Sequence, residues 1–76
     1  MFKATIFTAR RIILEAQVKS VFLPGETGEF EVLEFHKAIV SRLKAGDIVI
    51  DWDKRIPIKS GVVRMRNDEL AALVEE

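Results

Sequence analysis

One histidine, His36, is the only imidazole in the chain, and there is no cysteine. A hydrolytic triad needs a nucleophile and an orienting carboxylate around such a ring. Ser20, Ser41 and Ser60 are available, but none sits in a nucleophile-elbow pattern. His36 therefore reads as a loop histidine making a structural or interface hydrogen bond. Without cysteine there are no disulfides, no thiolate zinc sites and no thiol nucleophile, and no cofactor or metal is called for. Pro24-Gly25-Glu26-Thr27-Gly28-Glu29 carries two glycines but lacks the lysine and hydroxyl residue of a phosphate-binding loop, and its glutamates repel phosphate. Glycines supplying positive backbone dihedrals in a turn are the ordinary explanation.

Four carboxylates, Glu26, Glu29, Glu31 and Glu34, follow in close order. Carboxylate groups hold hard cations, but this spacing matches no calcium loop. A solvated acidic rim and a patch that steers a basic partner are the two readings left. Trp52 likewise has two: packing in a strand, or an aromatic anchor at an interface, where tryptophan is enriched. Arg64 and Arg66, two apart, share one strand face and are either solvated or complementary to an acidic surface.

The elements that must position these residues are short strands. Phe2, Ala4 and Ile6 alternate with Lys3 and Thr5, the period-two signature of a strand with one buried face, here over residues 2–8. Ile12 and Ile13 open a short second strand, and residues 18–23 form a third, ended by Pro24, which cannot donate a ladder hydrogen bond. Residues 29–33 alternate again, Phe30 and Val32 on one side and Glu29 and Glu31 on the other. Further strands are expected at 39–43, at 48–52 (with Trp52 inside it), at 55–58 after a reversal at Asp53-Lys54, and at 62–66. Asn67-Asp68 is a strong turn signal because both residues tolerate left-handed backbone angles. The tail from Asp68 has good helix formers and an N-cap, yet nine residues are too few for an isolated helix. The reading taken is a strand with Leu70, Ala72 and Val74 on one face. Strands this short at this spacing argue for an all-β sandwich or barrel.

Seventy-six residues make one domain, expected to span 1–76. A chain this small buries a modest fraction of its surface, so a partner would help its stability. Twelve basic and twelve acidic side chains cancel, which argues against affinity built on phosphate neutralisation. Nucleic acid is not the expected partner, and a free-standing small β-barrel binding nucleic acid or a ribosomal surface is the alternative reading. Arg10 and Arg11 before an apolar stretch resemble a twin-arginine export signal, but Glu15, Gln17 and Lys19 interrupt it.

Taken together, residues 18–33, His36, Leu43-Lys44-Ala45-Gly46 and Lys59-Ser60-Gly61-Val62 resemble the N-terminal β-sandwich of the ATP synthase epsilon subunit. Glu31, the Glu34-Phe35 pair, Ala38 and Val62 depart from that family, which usually has glycine, proline-glycine, proline and glycine there. The resemblance implies a flattened sandwich of about ten short strands in two sheets. It also implies a non-catalytic rotor subunit that couples the gamma subunit to the membrane c ring in a proton- or sodium-driven synthase. By position, Glu29, Phe30 and Glu31 would face the ring loops, and His36, Lys37 and Ser41 would lie near gamma. Membrane association would run only through the complex, on the cytoplasmic face of a bacterial inner membrane. Family members usually continue into C-terminal helices that inhibit hydrolysis and in some bacteria bind ATP. Ending at Glu76, the chain is expected to lack that brake and to bind no ATP.

Overall fold

A computed structural model describes residues 1–76, and every element in it is a strand. The strands are β1 (Phe2–Phe7), β2 (Ile12–Val18), β3 (Ser20–Gly25), β4 (Gly28–Leu33), β5 (Ile39–Leu43), β6 (Gly46–Ile50), β7 (Lys54–Ile58), β8 (Ser60–Arg66) and β9 (Glu69–Glu75). They fold into a β-sandwich of two layers. One has the order β2-β1-β9-β8-β5; the other has β4-β3-β6-β7. The layers are continuous at one corner, where Gly25 pairs with Leu43. There Glu26 N–H donates to the Arg42 carbonyl (3.0 Å) and Lys44 N–H to the Pro24 carbonyl (2.9 Å).

Period-two alternation builds the core. Phe2, Ala4 and Ile6 of β1, Val21 and Leu23 of β3, Val63 and Met65 of β8, and Leu70, Ala72 and Val74 of β9 all turn inward and are buried. The tail is thus a strand, and a central one: β9 runs parallel to β1 on one side and antiparallel to β8 on the other. Two ladders and three buried side chains outweigh the helix propensity of its alanines and leucines, which tertiary context commonly overrides. The β8–β9 reversal falls at Asn67 and Asp68, both with positive φ (52° and 58°), between the paired residues Arg66 and Glu69.

Several details differ from the sequence reading. There are nine strands, one fewer than the resemblance implies, and the second, expected to be short, runs unbroken from Ile12 to Val18. Pairing does not stop at Pro24: it continues through Pro24 opposite Glu29 to Gly25 opposite Gly28. The Pro24 carbonyl points away from β4, toward Lys44, and in an antiparallel ladder the nitrogen of the same residue points that way too. The missing N–H is therefore not needed by β4. Trp52 is not in a strand but in the turn between β6 and β7, with Asp51 and Trp52 both at positive φ (50° and 65°). The reversal thus falls one to two residues before the expected Asp53-Lys54. In β8, Val63 and Met65 turn inward by alternation, which leaves Val62 exposed beside Arg64.

Gly25 and Gly28 close the β3–β4 hairpin for different reasons. Gly28 has φ of +148°, unfavourable for side chains. At Gly25 the constraint is space: a Cβ there would stand 2.5 Å from the Gly28 carbonyl oxygen and 2.8 Å from the Phe30 ring.

Candidate docking surface

The outer side of the β4-β3-β6-β7 layer carries a hydrogen-bonded group built from three elements. Asp51, at the end of β6, turns back to β3: its Oδ1 accepts from Lys19 N–H (2.7 Å) and Ser20 N–H (3.1 Å). Its own N–H donates to the Ser20 carbonyl (2.8 Å). That capture fixes the left-handed turn and places Trp52 over the start of β3. Ser20 alternates with Val21, so its hydroxyl lies on the outer side, yet Ser20 is fully buried. The Ser20 hydroxyl donates to Glu31 Oε2 on β4 (2.5 Å), and the Trp52 indole N–H donates to the same oxygen (3.2 Å). Glu31 is therefore an orienting group that holds an aromatic ring, and that ring stays 58% exposed.

At the end of the sandwich next to this group, residues 33–36 form a tight turn. His36 N–H donates to the Leu33 carbonyl (3.2 Å), and the third residue, Phe35, has φ of 64°. A positive φ at this position is what a type II turn requires and glycine supplies most easily. Here a phenylalanine fills it, 82% exposed, with its N–H donated to Asp68 Oδ1 (3.0 Å). Glu34 pairs with the N-terminal ammonium of Met1 (2.7 Å); both groups are well exposed, so the pair contributes little to stability.

The six residues singled out in the sequence do not form one cluster. Glu29 and Glu31 face outward on β4, whereas Phe30 packs against the core from the inner side. His36 closes the tight turn and Lys37 follows it, with His36 Nδ1 2.8 Å from the Lys37 carbonyl oxygen. Ser41 shares the inner side of β5 with Ile39 and Leu43, and it is Val40 and Arg42 that are exposed on that strand. The four glutamates do not converge: Glu26 and Glu34 lie at opposite ends of the β3–β4 hairpin. No group of three or more acidic or histidine side chains is arranged to hold a metal ion. The opposite layer has its own exposed feature, a cross-strand row of Val62, Leu73, Phe7 and Ile12 over β8, β9, β1 and β2. Val62, Leu73 and Ile12 are each roughly half exposed, and Arg42 of β5 stands beside Val62.

Trp52, expected inside a strand, Phe35 and Ser20 are the residues whose part in this surface the sequence did not show. Acidic residues on both sides of Trp52 are a turn signal, and an aromatic within Glu34-Phe35-His36-Lys37 is out of character for a polar loop. The Ser20–Glu31 contact has no local sequence signature, because it links residues brought together only by strand pairing.

A two-layer β-sandwich with one parallel pair, presenting aromatic, aliphatic and carboxylate groups on its outer faces, defines a small all-β domain. The chain belongs to the ATP synthase delta/epsilon family, matching the family's beta-sandwich domain over residues 1–76. Its relatives include the ATP synthase epsilon chain of Campylobacter jejuni strain 81-176, 41% identical over an alignment that covers 92% of this chain and 57% of that one. The ATP synthase epsilon chain of Nitratiruptor sp. is 40% identical, with 96% of this chain and 60% of that one covered. The chain thus spans somewhat more than half the length of these relatives. Its fold is shared with a chain of the Tetrahymena thermophila mitochondrial ATP synthase central stalk and c ring (TM-score 0.82, 12% identity, covering 97% of this chain and 63% of that one). It is shared too with a chain of the Euglena gracilis mitochondrial ATP synthase (TM-score 0.85, 20% identity, covering 96% and 49%).

Proposed function

We propose that this β-sandwich is a non-catalytic docking module of the ATP synthase central stalk, coupling the gamma subunit to the membrane c ring. The observation that carries the reading is the presence of two dissimilar exposed faces on opposite layers. One holds Glu29, Glu31 and Trp52; the other holds the apolar row of Val62, Leu73, Phe7 and Ile12. Torque transfer asks for a rigid body held on two sides, and a sandwich with a shared core supplies one. Family membership and the names of the relatives support the assignment.

On this reading the acidic face meets basic groups of the ring loops, where charge complementarity sets register more than affinity. Loop residues His36 and Lys37 lie toward gamma. Ser41, turned inward, acts there through the position of β5 and not by contact. Residence is peripheral, on the cytoplasmic face of the membrane within the complex, and residues 1–76 bind no ATP by themselves.

Co-purification tests this. A tagged chain is expected to retain its cognate gamma subunit and the c ring through gel filtration. Glu29→Lys is expected to weaken docking about three- to tenfold, an effect that shrinks as salt rises. A chain that elutes alone from both partners would remove the rotor assignment.

A further inference from the structure

We propose that Trp52 and Glu31 form a receptor for an arginine side chain presented by a protein partner. This deepens the reading of the acidic face as a docking surface and rests on it. Three observations converge on Trp52. First, its backbone is in the left-handed region (φ 65°), as is that of Asp51 (φ 50°). An aromatic residue held there stores strain, which persists where the surroundings over-determine it and clusters at binding sites. Second, the ring is immobilised although it is largely exposed. Its N–H is bonded to Glu31 Oε2, Glu31 is bonded to the buried Ser20, and the turn is tied to β3 through Asp51. An exposed ring adds little to the core, so this bracing serves whatever meets the ring.

Third, the charge around the ring is unbalanced. The Oε1 atom of Glu31 has no partner within the chain, and Glu31, Asp51 and Asp53 take part in no ion pair. Lys54, two residues after Trp52, and Lys19, whose backbone N–H Asp51 accepts, take part in no ion pair. An exposed indole held at its N–H edge by a carboxylate with one oxygen free suits a guanidinium. The planar cation stacks on the ring while its N–H groups donate to a carboxylate beside it. A lysine ammonium offers the charge without the flat stacking surface, and an uncharged ureido group offers the shape without the charge. Leu33, half exposed and on the same side of β4 as Glu31, provides an apolar shoulder for the stem of the incoming side chain.

Trp52 is the only tryptophan, so its fluorescence reports this site alone. The whole chain is titrated with an acetylated, amidated Gly-Arg-Gly tripeptide and with its lysine and citrulline counterparts. Saturable quenching is expected with arginine, several-fold weaker with lysine and at least tenfold weaker with citrulline. Glu31→Gln is expected to lower the arginine response at least fivefold and to reduce Trp52 fluorescence anisotropy in the free chain. Circular dichroism confirms that the variant keeps its fold, and Asp53→Asn serves as a second, milder variant. A response that never saturates, or that is equal for arginine and citrulline, overturns the proposal. Rotor docking is measured separately. Arginine binding without co-purification of gamma or the ring removes the rotor reading and leaves the receptor standing. Docking that survives Trp52→Ala, with no peptide response in the native chain, removes the receptor alone.

Discussion

Phe35 and Gly25 show how single residues hold this fold against local preference. Phe35 occupies the left-handed region at a turn where a side chain costs about 1–2 kcal/mol, and its exposed ring returns little burial. Phe35→Gly relieves that strain while adding roughly 0.5–1 kcal/mol of unfolded-chain entropy, for a net gain of about 0.5–1 kcal/mol. The expected readout is a melting midpoint higher by roughly 2–8 °C. A lower midpoint would mean the ring packs on something. Gly25→Ala should act the other way. Its Cβ would meet the Gly28 carbonyl oxygen and the Phe30 ring, and forced overpacking costs about 1–3 kcal/mol, measurable by urea denaturation. Reading the sequence marked both glycines of this hairpin as dihedral residues, but only Gly28 has positive φ; the crowding at Gly25 depends on a ring three-dimensional structure brings near. The same limit applies to the docking site. Glu29 and Glu31 were legible as an outward acidic pair because alternation is local, whereas the Ser20–Glu31–Trp52 group joins β3, β4 and the β6–β7 turn.

At the scale of elements, most strands were legible because period two is visible in the chain. β1, β4, β5 and β8 lie within a residue or two of where alternation puts them. The misreadings arose at junctions. Lys19 breaks the chain between β2 and β3 because Asp51, from a distant turn, captures the Lys19 and Ser20 N–H groups, and no local pattern announces that. Pro24 stays in its strand because the residue pairs there in the register that spares its nitrogen. The tail was ambiguous for a physical reason: its composition favours a helix and only its neighbours make it a strand. Its position between β1 and β8 leads to a clear expectation. In hydrogen exchange the ladder amides over residues 70–74 should be among the slowest in the molecule, while those of the edge strands β2 and β7 exchange faster. Rapid exchange along β9 would contradict the central placement.

In the whole molecule, a shared 17-residue core carries two outer faces of different character. The core makes the body stiff. The acidic and aromatic face offers charge-directed contact, and the apolar row on the other layer offers burial that is insensitive to salt. A contact made on the acidic face should therefore weaken as ionic strength rises, and one made on the apolar row should not. A module that transmits rotation, as proposed, must restore coupling to a synthase that lacks it. The chain is added to a synthase stripped of its epsilon subunit, and ion pumping driven by ATP hydrolysis is measured. Pumping per ATP hydrolysed is expected to recover. Hydrolysis that continues with no recovery of pumping, although the chain is bound, would contradict the account.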